Sequence, residues 1–184
     1  QELLAETELR ANMVAASGGP IRRRLAKRWL REKDLAELIR IVARQRPKDV
    51  LAQQQKVAGA DGLAFIAPIM WMNFPAILRG WMERVFTYGF VYTMTREGWL
   101  QGQLSGRPPF LHRKKALIMT PTFFRESDYR DSGCGAAIER LVDDFGLRYP
   151  GVEQVEHVYF YAVNAADEET RREYLRQAYR LGHE

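Results

Sequence analysis

The run AFIAPIMWMNFPAILRGWMERVF, residues 64–86, carries an apolar strand into an amphipathic helix through a loop built on Trp71 and Pro75. Residues 63–67 form a short continuous apolar run after Gly59, Ala60, Asp61 and Gly62. That is the pattern of a strand buried on both faces, as in a parallel sheet covered by helices. Pro68 ends the run. Asn73 is placed to cap the next helix, Pro75 sits near its first turn, and Ile77, Trp81, Arg84 and Val85 recur at helical spacing. In an open α/β sheet ligands bind outside the carboxyl ends of the strands. Residues 68–74 are therefore expected to line a pocket with backbone amides, an indole and two thioethers, suited to a flat, largely apolar ring system.

The same alternation continues along the chain. Strands are expected at 63–67, 116–119 and 155–163. Helices are expected at 49–57 with Pro47 near its start, at 75–88, at 135–145, and after Asn164, with a long loop over 93–114. The last helix has Asp167, Glu168 and Glu169 in its first turn and arginines before Gly182, as the helix dipole prefers. Strand then helix, repeated, implies right-handed crossovers and a parallel sheet of the α/β class. No internal repeat or low-complexity tract interrupts it.

Composition narrows the classes. A chain of 184 residues that is 46% hydrophobic is expected to be a single domain, 1–184, with a core of ordinary size. Its one cysteine, Cys134, excludes a disulfide framework and a zinc cluster, so no metal is expected. No histidine stands where it would activate Cys134, which reads as a small residue near a helix start. With no signal-like segment and no long apolar span, a cytoplasmic setting without membrane insertion is expected. The net charge of +5 is concentrated in Arg22, Arg23, Arg24, Lys27, Arg28, Arg31 and Lys33. Such a stretch suits nucleic acid, an acidic membrane face or a phosphate. A solvated helix face is the favoured reading, because Glu32, Asp34 and Glu37 follow and no nucleic-acid motif is present.

Residues 49–92, DVLAQQQKVAGADGLAFIAPIMWMNFPAILRGWMERVFTYGFVY, closely resemble the flavodoxin-like NAD(P)H:quinone oxidoreductases. Their corresponding loop carries the same Trp and Pro before a Gly-Trp-x-x-Arg-Val-Phe helix. The resemblance resumes more weakly at KKALIMTPTFF and RYPGVEQVEHVYFYAVNAADEETRREYLRQAYRLG, and spans residues 47–182. It implies a flavodoxin-like, doubly wound parallel sheet in three αβα layers and a bound FAD or FMN. It further implies NAD(P)H as donor, a small quinone or related aromatic acceptor, ping-pong hydride transfer and a homodimer.

The resemblance also assigns residues. Pro68, Ile69, Met70, Trp71 and Met72 fall on the flavin ring, as do Thr120, Pro121 and Thr122 after the second strand. Tyr92 falls on the substrate side, where Tyr88, Phe90 and Trp99 complete an apolar lid. Phe123 and Phe124 stand where the family has two glycines, so this loop cannot take glycine-only dihedrals and carries two large rings, which either narrow the pocket for an aromatic substrate or pack under the loop. Tyr129 keeps the family's spacing from Thr122 and is the candidate catalytic and substrate-binding hydroxyl, the alternative being a purely structural tyrosine. An ordinary phenol, with a pKa of about 10, serves better as a hydrogen-bond donor than as an acid. The family's histidine falls on Gly135 and is missing.

Residues 1–46 read as a basic helical segment without the strand and phosphate loop that open flavodoxin-like folds. Their nearest substitute is an anion nest at Ser17, Gly18 and Gly19. Losing about four charge-assisted hydrogen bonds to a phosphate, at roughly 1.5–3 kcal/mol each, would forfeit on the order of 6–12 kcal/mol. The N-terminal part of the fold is thus expected to be missing from the sequence, with 1–46 an expanded connection, rather than lost in evolution. Two other readings remain: a flavin-free descendant acting on another aromatic substrate, and an ancillary regulatory subunit of a potassium efflux system docking through 22–33.

Overall fold

The computed structural model describes residues 46–87, 89–92 and 111–183. The expectations for the nest at 17–19, the basic stretch 22–33, Tyr88, Trp99 and most of the 93–114 loop lie outside these residues. The chain divides into two compact units, 1–52 with 93–107, and 53–92 with 108–184. The second contains every element below except the start of the first helix.

The described elements run α1 (Lys48–Gly59), β1 (Gly62–Ile66), α2 (Ala76–Val85), β2 (Lys115–Pro121), α3 (Glu126–Asp131) and α4 (Cys134–Glu139). A π-helix (Arg140–Arg148), β3 (Gln154–Phe160) and α5 (Glu168–His183) complete the order. The strands form a parallel sheet in the order β1-β2-β3, with Phe65 opposite Ile118 and Ile118 opposite His157. Because side chains alternate across a strand, one face presents Leu63, Phe65, Ala116, Ile118, Thr120, Val155, His157 and Tyr159. On that face Phe65, Ala116 and Ile118 join the core with Val57, Met82, Val85, Ile138, Val142 and Leu147 from the helices. Gln54 Nε2 ties α1 to α2 by donating to the Val85 carbonyl at 2.8 Å. On the other face α5 covers β3: the Phe160 and Tyr174 rings lie 5.2 Å apart, and the Tyr174 hydroxyl donates to the Tyr161 carbonyl.

Several expectations are corrected. β1 is not buried on both faces, since Phe65 and Ala67 are buried while Ala64 is exposed and Ile66 is 70% exposed. The described helix on that side packs against β3 and leaves β1 open. The last strand stops at Phe160 instead of residue 163, because the backbone turns at Ala162, whose φ is 49°. Asn73 does not cap α2. Its Oδ1 accepts from the Phe74 amide, and Pro75 takes the N-cap position. The expected helix at 135–145 changes to π geometry at Arg140, and α3 is a short helix outside the expected elements.

Candidate functional site at the carboxyl edge of the sheet

The loops after β1 and β2 leave adjacent strands, held together there by the Ala67 amide donating to the Met119 carbonyl at 3.2 Å. Residues 70–73 close a two-residue turn in which the Met70 amide donates to the Asn73 carbonyl and the Asn73 amide to the Met70 carbonyl, at 2.8 and 3.1 Å. Both central residues are left-handed, Trp71 at φ 49° and Met72 at φ 60°. That geometry favours Asn-Gly and strains larger side chains. Trp71 is 98% exposed, and Met70 and Met72 are exposed beside it, whereas Ile69 packs partly on the core. Backbone strain of this kind concentrates at ligand sites.

The loop after β2 is held by partners instead. Thr122 is buried, its amide donates to the Phe160 carbonyl and its hydroxyl to the Phe124 carbonyl at 3.0 Å. Ala162 and Val163 donate in turn to the carbonyls of Phe124 and Thr122, lacing the loops after β2 and β3 together. Phe123 and Phe124 stay exposed, edge to face at 5.3 Å, and neither has a positive φ. Pro121 is half-buried. Thr120 is fully buried, its hydroxyl 3.0 Å from His157 Nε2.

Tyr129 is buried under this loop. Its ring lies 6.4 Å from Phe124, 6.2 Å from Tyr159 and 5.9 Å from Tyr161. Burial, and secondarily the Cys134 thiol, raise its pKa above the ordinary phenol value, so it keeps its proton. Tyr159 and Tyr161 are also raised, first by burial and then by nearby carboxylates, Glu139 and Asp143 for Tyr159, Glu126 and Glu139 for Tyr161. Tyr92 is half-buried against the core at the end of the 89–92 turn.

The sequence reading passed over His157. Its Nδ1 lies 2.9 Å from Asp143 Oδ1, and its ring stacks on Tyr159 at 4.2 Å. The signal was the period-2 alternation Val155, His157, Tyr159, Tyr161, which puts an imidazole on a core face and so demands a buried partner. Among the described residues no group of three or more His, Cys, Asp or Glu could hold a metal ion. No described helix is long and apolar enough to cross a membrane.

A parallel sheet flanked by helices is the arrangement of the flavodoxin class. The chain belongs to the flavodoxin-like fold family, whose sequence model matches residues 12–181. It is 32% identical over 130 residues to NAD(P)H dehydrogenase (quinone) 1 of Cavia porcellus, covering 69% of this chain and 44% of that protein. The chain spans about half the length of the first curated relatives it matches. An NAD(P)H:quinone oxidoreductase from Methanothermobacter marburgensis shares the fold at a TM-score of 0.62 and 24% identity, over 99% of this chain and 90% of that one. So does an FMN-dependent NADH-azoreductase from Bacillus anthracis in complex with FMN, at a TM-score of 0.55 and 12% identity, over 98% and 91% of the chains.

Proposed function

We propose that this chain is part of a flavin-dependent NAD(P)H oxidoreductase that reduces a quinone or related aromatic acceptor. The observation that carries the proposal is the strained turn at 71–72, which leaves Trp71 exposed on the loop after β1, while Phe123 and Phe124 are exposed on the loop after the adjacent parallel strand β2. The names of the quinone-reducing relatives support the reaction, and the FMN-bound neighbour supports the cofactor class. These residues fit a flat heteroaromatic ring. Exposed apolar side chains on two neighbouring loops offer it faces and edges, and Trp71 and the Phe pair would exclude water when it is seated.

When bound, FMN or FAD supplies the hydride chemistry between a nicotinamide and the acceptor. Residues 68–72 and 120–122 would hold the ring, while Tyr92, Phe123 and Phe124 would shape the space for the acceptor. Tyr129, kept protonated by its burial, would act through its ring packing or as a hydrogen-bond donor, and not as an acid. Donor and acceptor would use one place in turn, giving ping-pong kinetics. A homodimer in the cytoplasm completes the proposal.

The test is to purify the full-length protein that carries this chain, offer it FMN and FAD separately, and follow NADH and NADPH oxidation with menadione as acceptor. A yellow protein giving parallel double-reciprocal lines is expected. Neither flavin uptake nor nicotinamide oxidation, with both flavins and both nicotinamides, would overturn the reading.

A further inference from the structure

Thr120, Asp143 and His157 arrive from β2, the π-helix and β3 and meet inside the unit. The side chains of His157 and Asp143 are 4% and 5% exposed, and Thr120 is fully buried. A carboxylate only accepts, so in the neutral ring Nδ1–H donates to Asp143 Oδ1 and Nε2 accepts from the Thr120 hydroxyl.

Such a group is a poor way to fill a core. Polar residues here forgo the burial that Ala116 and Ile118 gain on the same face, and an apolar set of equal volume is often as stable or more so. The helix bearing Asp143 has π geometry, which is rare and concentrates at functional sites. The hydrogen-bond chain ends on Thr120, directly before the 121–124 loop, where Phe123 and Phe124 take no glycine-type dihedral. The path of that loop must therefore be set by partners. Thr122 is held from one side by Phe160 and Phe124, and Thr120 from below by His157.

We propose that Asp143 and His157 are positioning residues for the flavin site: the imidazole, oriented by Asp143, holds the Thr120 hydroxyl and thereby fixes the loop that meets the flavin ring. This inference rests on the flavin reading above. Neither residue touches the cofactor, and each acts through Thr120.

The test uses the full-length protein that carries this chain, with FMN as the probe. Thr120→Val keeps the shape and removes the hydroxyl. His157→Gln keeps an amide able to bond both neighbours, and His157→Leu does not. Fluorescence titration gives FMN affinity, visible circular dichroism reports the environment of the bound ring, and thermal melts report folding. Thr120→Val and His157→Leu are expected to weaken FMN about three- to tenfold, one hydrogen bond's worth, and to change the visible dichroism. His157→Gln is expected to stay near wild type in both. If Thr120→Val does not fold, the His157→Gln and His157→Leu pair decides. Wild-type affinity and dichroism in folded Thr120→Val or His157→Leu would overturn the positioning role and leave the flavin reading standing. A wild-type chain that takes up no FMN, while proton NMR shows an Asp143-dependent imidazole N–H, would instead overturn the flavin reading and with it this role.

Discussion

The two loops at the carboxyl edge of the sheet solve the same problem in opposite ways. Residues 70–73 close on themselves through two backbone hydrogen bonds and keep two bulky residues at positive φ, with Trp71 directed outward. Residues 120–124 carry no such strain. They are fixed by threonines bonded to β3, to the loop beyond it and, through His157, to the π-helix. One loop stores its constraint locally, and the other borrows rigidity from buried polar groups. A substitution should therefore trade stability against binding in the first and lower both in the second.

The largest expected effect is in the second loop. Asp143→Ala leaves the buried Nδ1–H of His157 without its acceptor, and an unsatisfied buried donor costs about 1–3 kcal/mol. Urea unfolding should show that loss as a lower midpoint. A change below about 1 kcal/mol would mean that the polar chain contributes little and that the two loops do not differ in this way.

The first loop should respond in the opposite direction. Trp71→Asn with Met72→Gly installs the pair that this turn geometry prefers. Relief at two left-handed positions, offset by the entropy of a new glycine, should raise stability by about 1 kcal/mol. Removing the indole and one thioether should at the same time weaken FMN binding about tenfold or more. A double variant that is both more stable and equally tight would show that the strain serves no ligand.

The contrast also explains what the residues revealed beforehand. Apolar runs at 63–67 and 116–119 and the dipole-ordered last helix were legible because each is a local pattern. The Trp71 loop was legible because a proline, an indole and two thioethers stand together between a strand and a helix. The exposed face of β1 was not, because whether Ala64 and Ile66 are covered depends on what packs there and not on their own sequence. The π-helix was not legible either, since its pattern matches an ordinary helix and its widening places Asp143 against a strand fourteen residues on. The histidine was visible as a core-face residue in β3. Its partner was one of two adjacent aspartates, Asp143 and Asp144, and only the fold chooses between them. Asp144 turns outward to Arg140 and Arg148, whose hydrogen bonds hold its carboxyl below the usual range.

The smallest effect is confined to alkaline pH and separates the loops by what lies beneath them. Tyr129, Tyr159 and Tyr161 cluster under the second loop with folded pKa values raised chiefly by burial, while an unfolded tyrosine ionises near about 10. The folded state thus holds protons that the unfolded state has released, so this contribution is fully present below about pH 10 and falls as pH rises beyond it. Tyr159 is raised the most, so Tyr159→Phe should lose stability less steeply above pH 10 than wild type. The Trp71→Asn, Met72→Gly chain should keep the wild-type slope, because its turn holds no titrating group. Urea titrations at pH 8, 9, 10 and about 11 read the slopes directly. Equal slopes in wild type and Tyr159→Phe would show that the ring cluster opens to water before the chain unfolds, which would place the rigidity of the second loop in its threonines alone.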